Sequence, residues 1–355
     1  MTERLTRARS FLKGLDGLLF VERLNLRYLS GFTGTEAMLL VTAHDAVMFT
    51  DSRYTLQARE QLDGAIRVIE VHDRWRDVYT ELQKLEVGML GVESDTMDFD
   101  TYLKLKNLFK GIQLTPLGAQ LKQLRQIKDE RELASMRRAA RIAETALEAV
   151  LAGGLIGRSE AEVALDLEWR MRTAGASAAS FDIIVASGPR AAMPHGVAGP
   201  RLIGPNEAVI IDWGCVLDGY ASDETVTLFT GEPDDDFAKA YELVHAAQQR
   251  AIAGLKPGVS AKAVDALARG YLKQAGLGDY FGHGLGHGVG LNVHEAPTVS
   301  PVSEDVLAPG MVVTIEPGVY LPGRFGIRIE DTLVVTDSAC QPITNLAKTA
   351  IRKIN

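Results

Sequence analysis

The chain has 355 residues, 46% of them hydrophobic and 24% charged, and a formal charge of −8 at pH 7. That length suits two domains of ordinary size, and the acidic balance excludes the basic face that non-specific nucleic-acid binding needs. Two cysteines, Cys215 and Cys340, make neither a disulfide framework nor a structural zinc pair, and no apolar run approaches the ~18 residues of a membrane span.

The first residues, MTERLTRARSFLKGLDGLLF, carry charges up to Asp16. They hold no signal-peptide core, which points to a cytoplasmic protein. Up to about residue 125, short buried strands (GLLFVE, AMLLVTA, DAVMFTD, RVIEV, GMLGVE) are predicted. Amphipathic helices (RYTLQAREQL, RWRDVYTELQKL, FDTYLKLKNLF) lie between some of them. This is an α/β domain. No glycine-rich phosphate loop follows its first strand, so nucleotide binding has no support. The next element is a long helix from Asp129 to about Leu151, with apolar residues at 133, 136, 140, 143, 147 and 150. We expect two domains, 1–125 and 126–355.

The second domain hides a repeat. A shift of 101 residues superimposes Ala139, Ala146, Ala152, Gly153, Gly157, Ser159, Val163, Ala174 and Gly175 on Ala240, Ala247, Ala253, Gly254, Gly258, Ser260, Val264, Ala275 and Gly276 without a gap. In both copies a helix ends at glycine and a serine opens the next as its N-cap. Ser159 with Glu162 has the spacing of a capping box. Both copies then enter strand-like sequence, SFDIIVASG and DYFGHGLGHG. A duplicated domain with a pseudo-two-fold axis is expected, and clefts between such halves are common places for sites.

In AVIIDWGCVLDGYASDETVTLFTG, Asp218-Gly219 between apolar runs marks a two-residue hairpin. That register sets Leu217 opposite Tyr220 and Asp212 opposite Thr225. Asp212, Gly214, Asp223 and Thr225 then share one face. Farther on, in MVVTIEPGVYLPGRFGIRIEDTLVV, Glu316 ends one apolar strand and Glu330 lies inside another. Thr314 shares a face with Glu316, and Arg328 and Thr332 share one with Glu330. Four carboxylates in one buried site need cations. Two divalent ions would balance them, and an imidazole would add a neutral ligand. Oxygen-rich ligation with one histidine and no thiolate suits manganese, cobalt, iron or zinc. FGHGLGHGVGLNVHEAP supplies three of the chain's seven histidines, His283, His287 and His294.

Five stretches, SFDIIVASGPRAAMPHG, IIDWGCVLDGYASDET, GHGLGHGVGLNVHEAP, TIEPGVY and GIRIED, resemble in order the motifs of the pita-bread metallopeptidases. Among these the chain is similar to the Xaa-Pro aminopeptidases and Xaa-Pro dipeptidases (prolidases). NLRYLSGFTGTEAMLLVTAHDAVMFTDSRYTLQARE resembles the creatinase-type N-terminal domain of that group. The resemblance covers nearly the whole chain. It implies an α/β creatinase-like N-terminal domain followed by an α+β pita-bread catalytic domain. It also implies two divalent ions per chain, with manganese as the expected metal and cobalt, zinc or iron as substitutes. Asp212 would hold one ion, His287 and Glu316 the other, and Asp223 and Glu330 both. A hydroxide bridging the ions would attack the carbonyl before proline, and Glu316 would also act as general base. His195 and His294 would face the substrate, with His283 and Tyr320 beside it, and Arg328 would orient a ligand carboxylate. Short proline-containing peptides are the expected substrates and a homodimer the expected assembly. His72 and His245 are expected to be structural. Methionine aminopeptidases share the catalytic fold but as a rule lack such an N-terminal domain.

Two positions depart from the family pattern. Val226 stands where many members have arginine, and by strand parity it points away from Asp223 and Thr225. Thr298 stands where many dipeptidases carry an arginine thought to hold the substrate carboxylate, a role for which Arg324 is a substitute candidate. The loss at 298 favours an Xaa-Pro aminopeptidase, with the dipeptidase as alternative. A creatinase-like metal-free hydrolase or an inactive binding module would require lost ligands, and all five are present.

Overall fold

The computed structural model describes residues 2–354. The chain resolves into two compact units, Met1–Arg125 and Gln126–Asn355. No helix among the described residues is long and apolar enough to cross a membrane.

The first unit is built on a six-stranded mixed sheet, β1 (Gly17–Phe20), β2 (Ala37–Thr42), β3 (Ala46–Thr50), β4 (Arg67–Glu70), β5 (Met89–Val92) and β6 (Gln113–Pro116), in the order β4-β3-β2-β1-β5-β6. Its helices are α1 (Thr2–Arg9), α2 (Arg23–Ser30), α3 (Thr55–Gln61), α4 (Arg74–Lys84), α5 (Phe99–Leu108) and the single turn α6 (Gly118–Leu121). The expected strands and helices form within a few residues of their predicted limits. The periodicity did not reveal α1, α2 or β6. The last is a four-residue polar edge strand ending in proline, and the second is an eight-residue helix capped by Glu22, which accepts from Leu24 N and Asn25 N.

The second unit opens with α7 (Glu130–Ala152) and α8 (Glu160–Thr173), and repeats that hairpin as α9 (Asp235–Gly254) and α10 (Ala261–Gln274). Ser159 caps α8 and Ser260 caps α10, and the expected capping box between Ser159 and Glu162 is present. The correspondence goes further: Ser159 bridges to Leu202 and Ser260 to Val306, so each N-cap also anchors the return of its own half.

Between the hairpins in sequence run β7 (Ala178–Ala179), β8 (Ile184–Ser187), β9 (Ala208–Trp213), β10 (Cys215–Leu217), β11 (Tyr220–Ala221) and β12 (Glu224–Thr230). After the second hairpin come β13 (Gly286–Gly288), β14 (Glu295–Val299), β15 (Val312–Ile315), β16 (Gly318–Leu321), β17 (Phe325–Arg328), β18 (Asp331–Val335), β19 (Cys340–Pro342) and β20 (Arg352–Ile354). Two sheets matter most for the site, β20-β12-β9-β8 and β14-β13-β15-β18-β19. The Asp218-Gly219 turn has φ of 53° and 87°, and Leu217 pairs with Tyr220 as the turn chemistry requires. Asp212 consequently lies opposite Thr225.

Strand parity divides the core. Val209, Ile211, Trp213, Val226 and Leu228 pack on α7 and α8 in one hydrophobic cluster, while Val313, Ile315, Leu333 and Val335 pack on α9 and α10 in another. Alternate residues of these strands, including Asp212, Thr225, Thr314 and Thr332, therefore project the other way. Val226 lies behind the sheet, as parity predicts. One expectation fails: Glu330 is not inside a strand but in the gap between β17 and β18. Its N–H donates to Thr225 O at 3.1 Å as the chain crosses from the β16–β17 pair to β18, so that crossing point cannot also belong to a regular ladder. Replacing the capping serine, Ser159→Ala, should cost about 1 kcal/mol. A calorimetric melt should show the midpoint of this unit falling by roughly 2–4 °C.

Candidate metal centre

β9, the residue before β12, β13, the residue after β15 and the β17–β18 crossing all deliver side chains to one cavity of about 420 Å³. Its lining includes the ten residues to which the resemblance gave a metal, catalytic or substrate role: Asp212, Asp223, His287, Glu316, Glu330, His195, His283, His294, Tyr320 and Arg328. Asp223 and Glu330 are buried, and a ligand atom from each lies within 4.8 Å of the other and of one on His287. Glu316 joins from the same side, with Oε1 3.3 Å from His287 Nε2. Asp212 also lines the cavity, its Oδ2 accepting from Arg328 Nη2 at 2.6 Å.

The histidine strand is shaped by close backbone approach. A Cβ on Gly286 would stand 2.0 Å from Thr314 O, and one on Gly288 would stand 2.4 Å from Ala296 O. Glycines there let neighbouring strands press against His287 from both sides. Thr314 Oγ1 accepts from His287 N at 3.0 Å and donates to Glu316 Oε1 at 3.1 Å, locking ligand to ligand. Thr225 Oγ1 donates to Glu330 Oε2 at 2.6 Å, and Thr332 Oγ1 donates to Asp223 O at 2.7 Å. Parity had placed these threonines on the faces of the candidate ligands without revealing that each holds one of those residues.

The electrostatics test whether cations fit. His287 Nδ1 lies 3.1 Å from Gly288 O; a carbonyl only accepts, so Nδ1 carries the proton and Nε2 offers a lone pair. That lone pair faces carboxylate oxygens of Glu316 and, at 3.6 Å, Asp223. Acceptors facing acceptors in a buried cluster repel unless a cation lies among them. Burial, then repulsion from Asp212, pushes the Asp223 carboxyl well above its usual range. Burial and repulsion from Asp223 do the same to Glu330, and burial pushes Glu316 up to about 8. Burial also lowers His287, favouring the neutral, ligating form. Asp212 Oδ1 is buried with no hydrogen-bond partner among the described residues. Carboxylates and one imidazole with these unmet demands fit divalent cations.

Arg328 orients this group. Besides Asp212 it donates to Thr225 Oγ1 at 3.2 Å, Pro194 O at 3.1 Å and Tyr320 Oη at 2.8 Å. Tyr320 lies 3.0 Å from His283 Nε2, and His283 Nδ1 lies 2.7 Å from Gly284 O. Both ring nitrogens of His283 are thus engaged, and burial pushes it down to about 4, leaving the ring neutral. His195 and His294 are exposed at the cavity, and the His294 ring lies 4.3 Å from that of His287. The acidic residue of the His-Glu pair, Glu295, turns away and pairs with buried Lys128 at 2.7 Å. The segments on both sides of His195 are held by buried Glu160, which accepts from Ser187 N, Arg190 Nε and Gly199 N. His72 is exposed and His245 half-buried on α9, both outside the cavity lining. Arg324 also lies outside it: it is half-exposed and paired with Asp236 at 2.7 Å, held at the start of α9 rather than turned to the cavity.

Residues 134–337 match metallopeptidase family M24, and residues 4–127 match the creatinase/prolidase N-terminal domain. The chain belongs to the M24 metallopeptidases. This M24 chain is 34% identical to an Xaa-Pro dipeptidase of Pyrococcus horikoshii over 99% of each. The structure of an Xaa-Pro dipeptidase from Bacillus anthracis superposes with a TM-score of 0.96 at 38% identity, covering 99% of both chains. An X-Pro aminopeptidase from Thermotoga maritima superposes with a TM-score of 0.92 at 33% identity, covering 99% of this chain and 100% of the other. The M24 chain thus combines a creatinase-type N-terminal domain with a pita-bread catalytic domain.

The pH dependence of stability follows from the buried acids. Above about pH 7.5, a unit past the unfolded histidine pKa, the depressed histidines are largely neutral in both states. There the folded metal-free chain still holds protons on Glu316, pushed up to about 8, that the unfolded chain has released, and the upward shifts of Asp223 and Glu330 act in the same direction. Its stability should therefore fall as pH rises from about 7.5 to 8. Thermal melts in EDTA should show that fall, and the same melts with Mn²⁺ should show a shallower one, because the cation takes the place of the protons.

Proposed function

We propose that this M24 peptidase is an Xaa-Pro dipeptidase, cleaving the bond between an N-terminal residue and a terminal proline. The observation that carries the metallopeptidase chemistry is the convergence of Asp212, Asp223, His287, Glu316 and Glu330 on one buried cavity. The cavity, at about 420 Å³, matches a molecule of dipeptide size. The preference for dipeptides reverses the expectation drawn from position 298. Relatives named as Xaa-Pro dipeptidases match end to end. Thr298 itself is exposed and outside the cavity lining, with its N–H committed to Asp305. The end-to-end likeness to an X-Pro aminopeptidase keeps that activity as the second reading.

Asp212 would hold one divalent ion, His287 and Glu316 the other, and Asp223 and Glu330 would contact both. Manganese is the metal we would supply first, with cobalt, zinc or iron as substitutes. Bound there, the ions would supply Lewis acidity toward the scissile carbonyl and acidify a water molecule. The chain's own groups do the rest. Glu316 accepts a proton from the attacking water and delivers it to the proline nitrogen, which has no hydrogen of its own and must gain one when the C–N bond breaks. His294 and His195, at the exposed side of the cavity, donate hydrogen bonds to the developing oxyanion and orient the peptide. Arg328 holds Asp212 in place while Tyr320 and His283 brace Arg328.

With Mn²⁺ present, Ala-Pro should be hydrolysed and Ala-Pro-Ala should be cleaved at least about tenfold less efficiently in kcat/KM, a discrimination of ~1.4 kcal/mol. Preference for the tripeptide would sink the dipeptidase reading in favour of the aminopeptidase. Full activity after exhaustive chelation, or in Asp223→Ala, would sink both. His294→Ala should lower kcat by about 10² while leaving metal content unchanged.

A further inference from the structure

Two ligand residues are each followed by another acid, and strand geometry sends that second acid the opposite way. Asp223 faces the cavity and Glu224, which begins β12, faces behind it; Glu330 and Asp331 repeat the arrangement at the start of β18. The two rear carboxylates converge on a single ammonium group. Lys348 Nζ donates to Glu224 Oε1 and, at 2.5 Å, to Asp331 Oδ1. Lys348 and Glu224 are 5% and 1% exposed, so this is an interior ion cluster rather than a surface pair. Asp331 is held further by Gln248 Nε2 at 2.8 Å and Thr344 Oγ1 at 3.0 Å.

The lysine arrives from outside both repeated halves. Its own carbonyl accepts from Tyr241 Oη at 3.0 Å, and four residues later β20 joins β12 as a parallel neighbour. β12 lies in one of the two sheets and β18 in the other. On the cavity side they are joined by Glu330 N to Thr225 O and by Thr332 Oγ1 to Asp223 O. On the far side Lys348 joins them. A buried ion cluster is a poor source of stability compared with apolar packing, because desolvation offsets the attraction. Its distinctive effect here is geometric: without the ammonium, two adjacent buried carboxylates would repel and push the strands apart.

We propose that Lys348 is a positioning residue of the metal centre: by drawing Glu224 and Asp331 together, it sets the separation at which β12 and β18 present Asp223 and Glu330 to the ions. The inference rests on the metal-centre reading above and concerns affinity for the metal, not substrate choice. Removing partners that orient metal ligands typically weakens binding by about 10–100-fold.

The test is titration of Mn²⁺ into the metal-free full chain by calorimetry, alongside far-UV circular dichroism and the melting midpoint of the same metal-free samples. Lys348→Met should fold yet bind Mn²⁺ at least about tenfold more weakly than wild type, and Lys348→Arg should recover most of the loss. The triple variant Glu224→Gln/Asp331→Asn/Lys348→Met removes the repulsion together with the clamp. It keeps the question open to measurement should Lys348→Met fail to fold, and it too should bind more weakly. Wild-type affinity in Lys348→Met, or in the triple variant where the single one does not fold, would overturn the inference, since a lysine that only stabilised the fold would shift the melting midpoint and leave the metal isotherm alone. A wild-type chain that takes up no Mn²⁺, Co²⁺ or Zn²⁺ would instead overturn the metal-centre reading itself.

Discussion

Four carboxylates turned toward one buried cavity cannot all remain charged unless cations stand among them, and the catalytic unit is arranged around that constraint. Asp212 is met by Arg328, but Asp223, Glu316 and Glu330 have no cationic side chain bonded to them among the described residues. His287 cannot serve as one, because its Nδ1 proton is committed to a carbonyl and its free nitrogen is an acceptor. Two buried lysines nearby in sequence or sheet are paired elsewhere: Lys348 with Glu224 and Asp331, and Lys128 with Glu295. The chain thus neutralises its rear acids itself and leaves the front ones without a bonded cationic side chain among the described residues, an arrangement that divalent ions would complete.

The duplicated architecture makes this concentration of charge possible. Each half supplies a helical hairpin that covers the back of a sheet, so each sheet has a free inner face. The first half contributes Asp212 and Asp223, and the second contributes His287, Glu316 and Glu330. No single half could enclose the group, since one sheet face leaves its acids open to water, where they need no metal. Thr225 and Thr332 then fasten Glu330 and Asp223 across the two halves, and Thr314 ties His287 to Glu316 within the second, so the geometry is set by hydrogen bonds rather than by the rotamers of isolated side chains.

The legibility of the site in the sequence follows the same physics. The hairpin at Asp218-Gly219 could be placed because a two-residue turn with both φ positive fixes register, and register fixes which face Asp212 and Asp223 share. The helices α7 to α10 could be placed because their caps and apolar periodicity are local. Glu330 was put inside a strand because a run of alternating residues cannot show where a chain leaves one sheet for another. Arg324 was a candidate for the substrate because sequence position cannot show that its partner, Asp236, lies 88 residues earlier and outside the cavity.

What the sequence determined by itself is the inventory and the local order: five candidate ligands in four of five motifs, a duplicated αα-hairpin, the faces of the strands and the family to which these motifs are similar. These depend on neighbours within a few residues, where turn chemistry, capping and side-chain alternation act. What only the tertiary structure decided is which charges meet. The Arg328–Asp212 pair spans 116 residues and the Lys348–Glu224 pair 124, and neither has a local signature. Those pairings arise when two sheets from separate halves close on each other, because only then do the acids become buried and need partners.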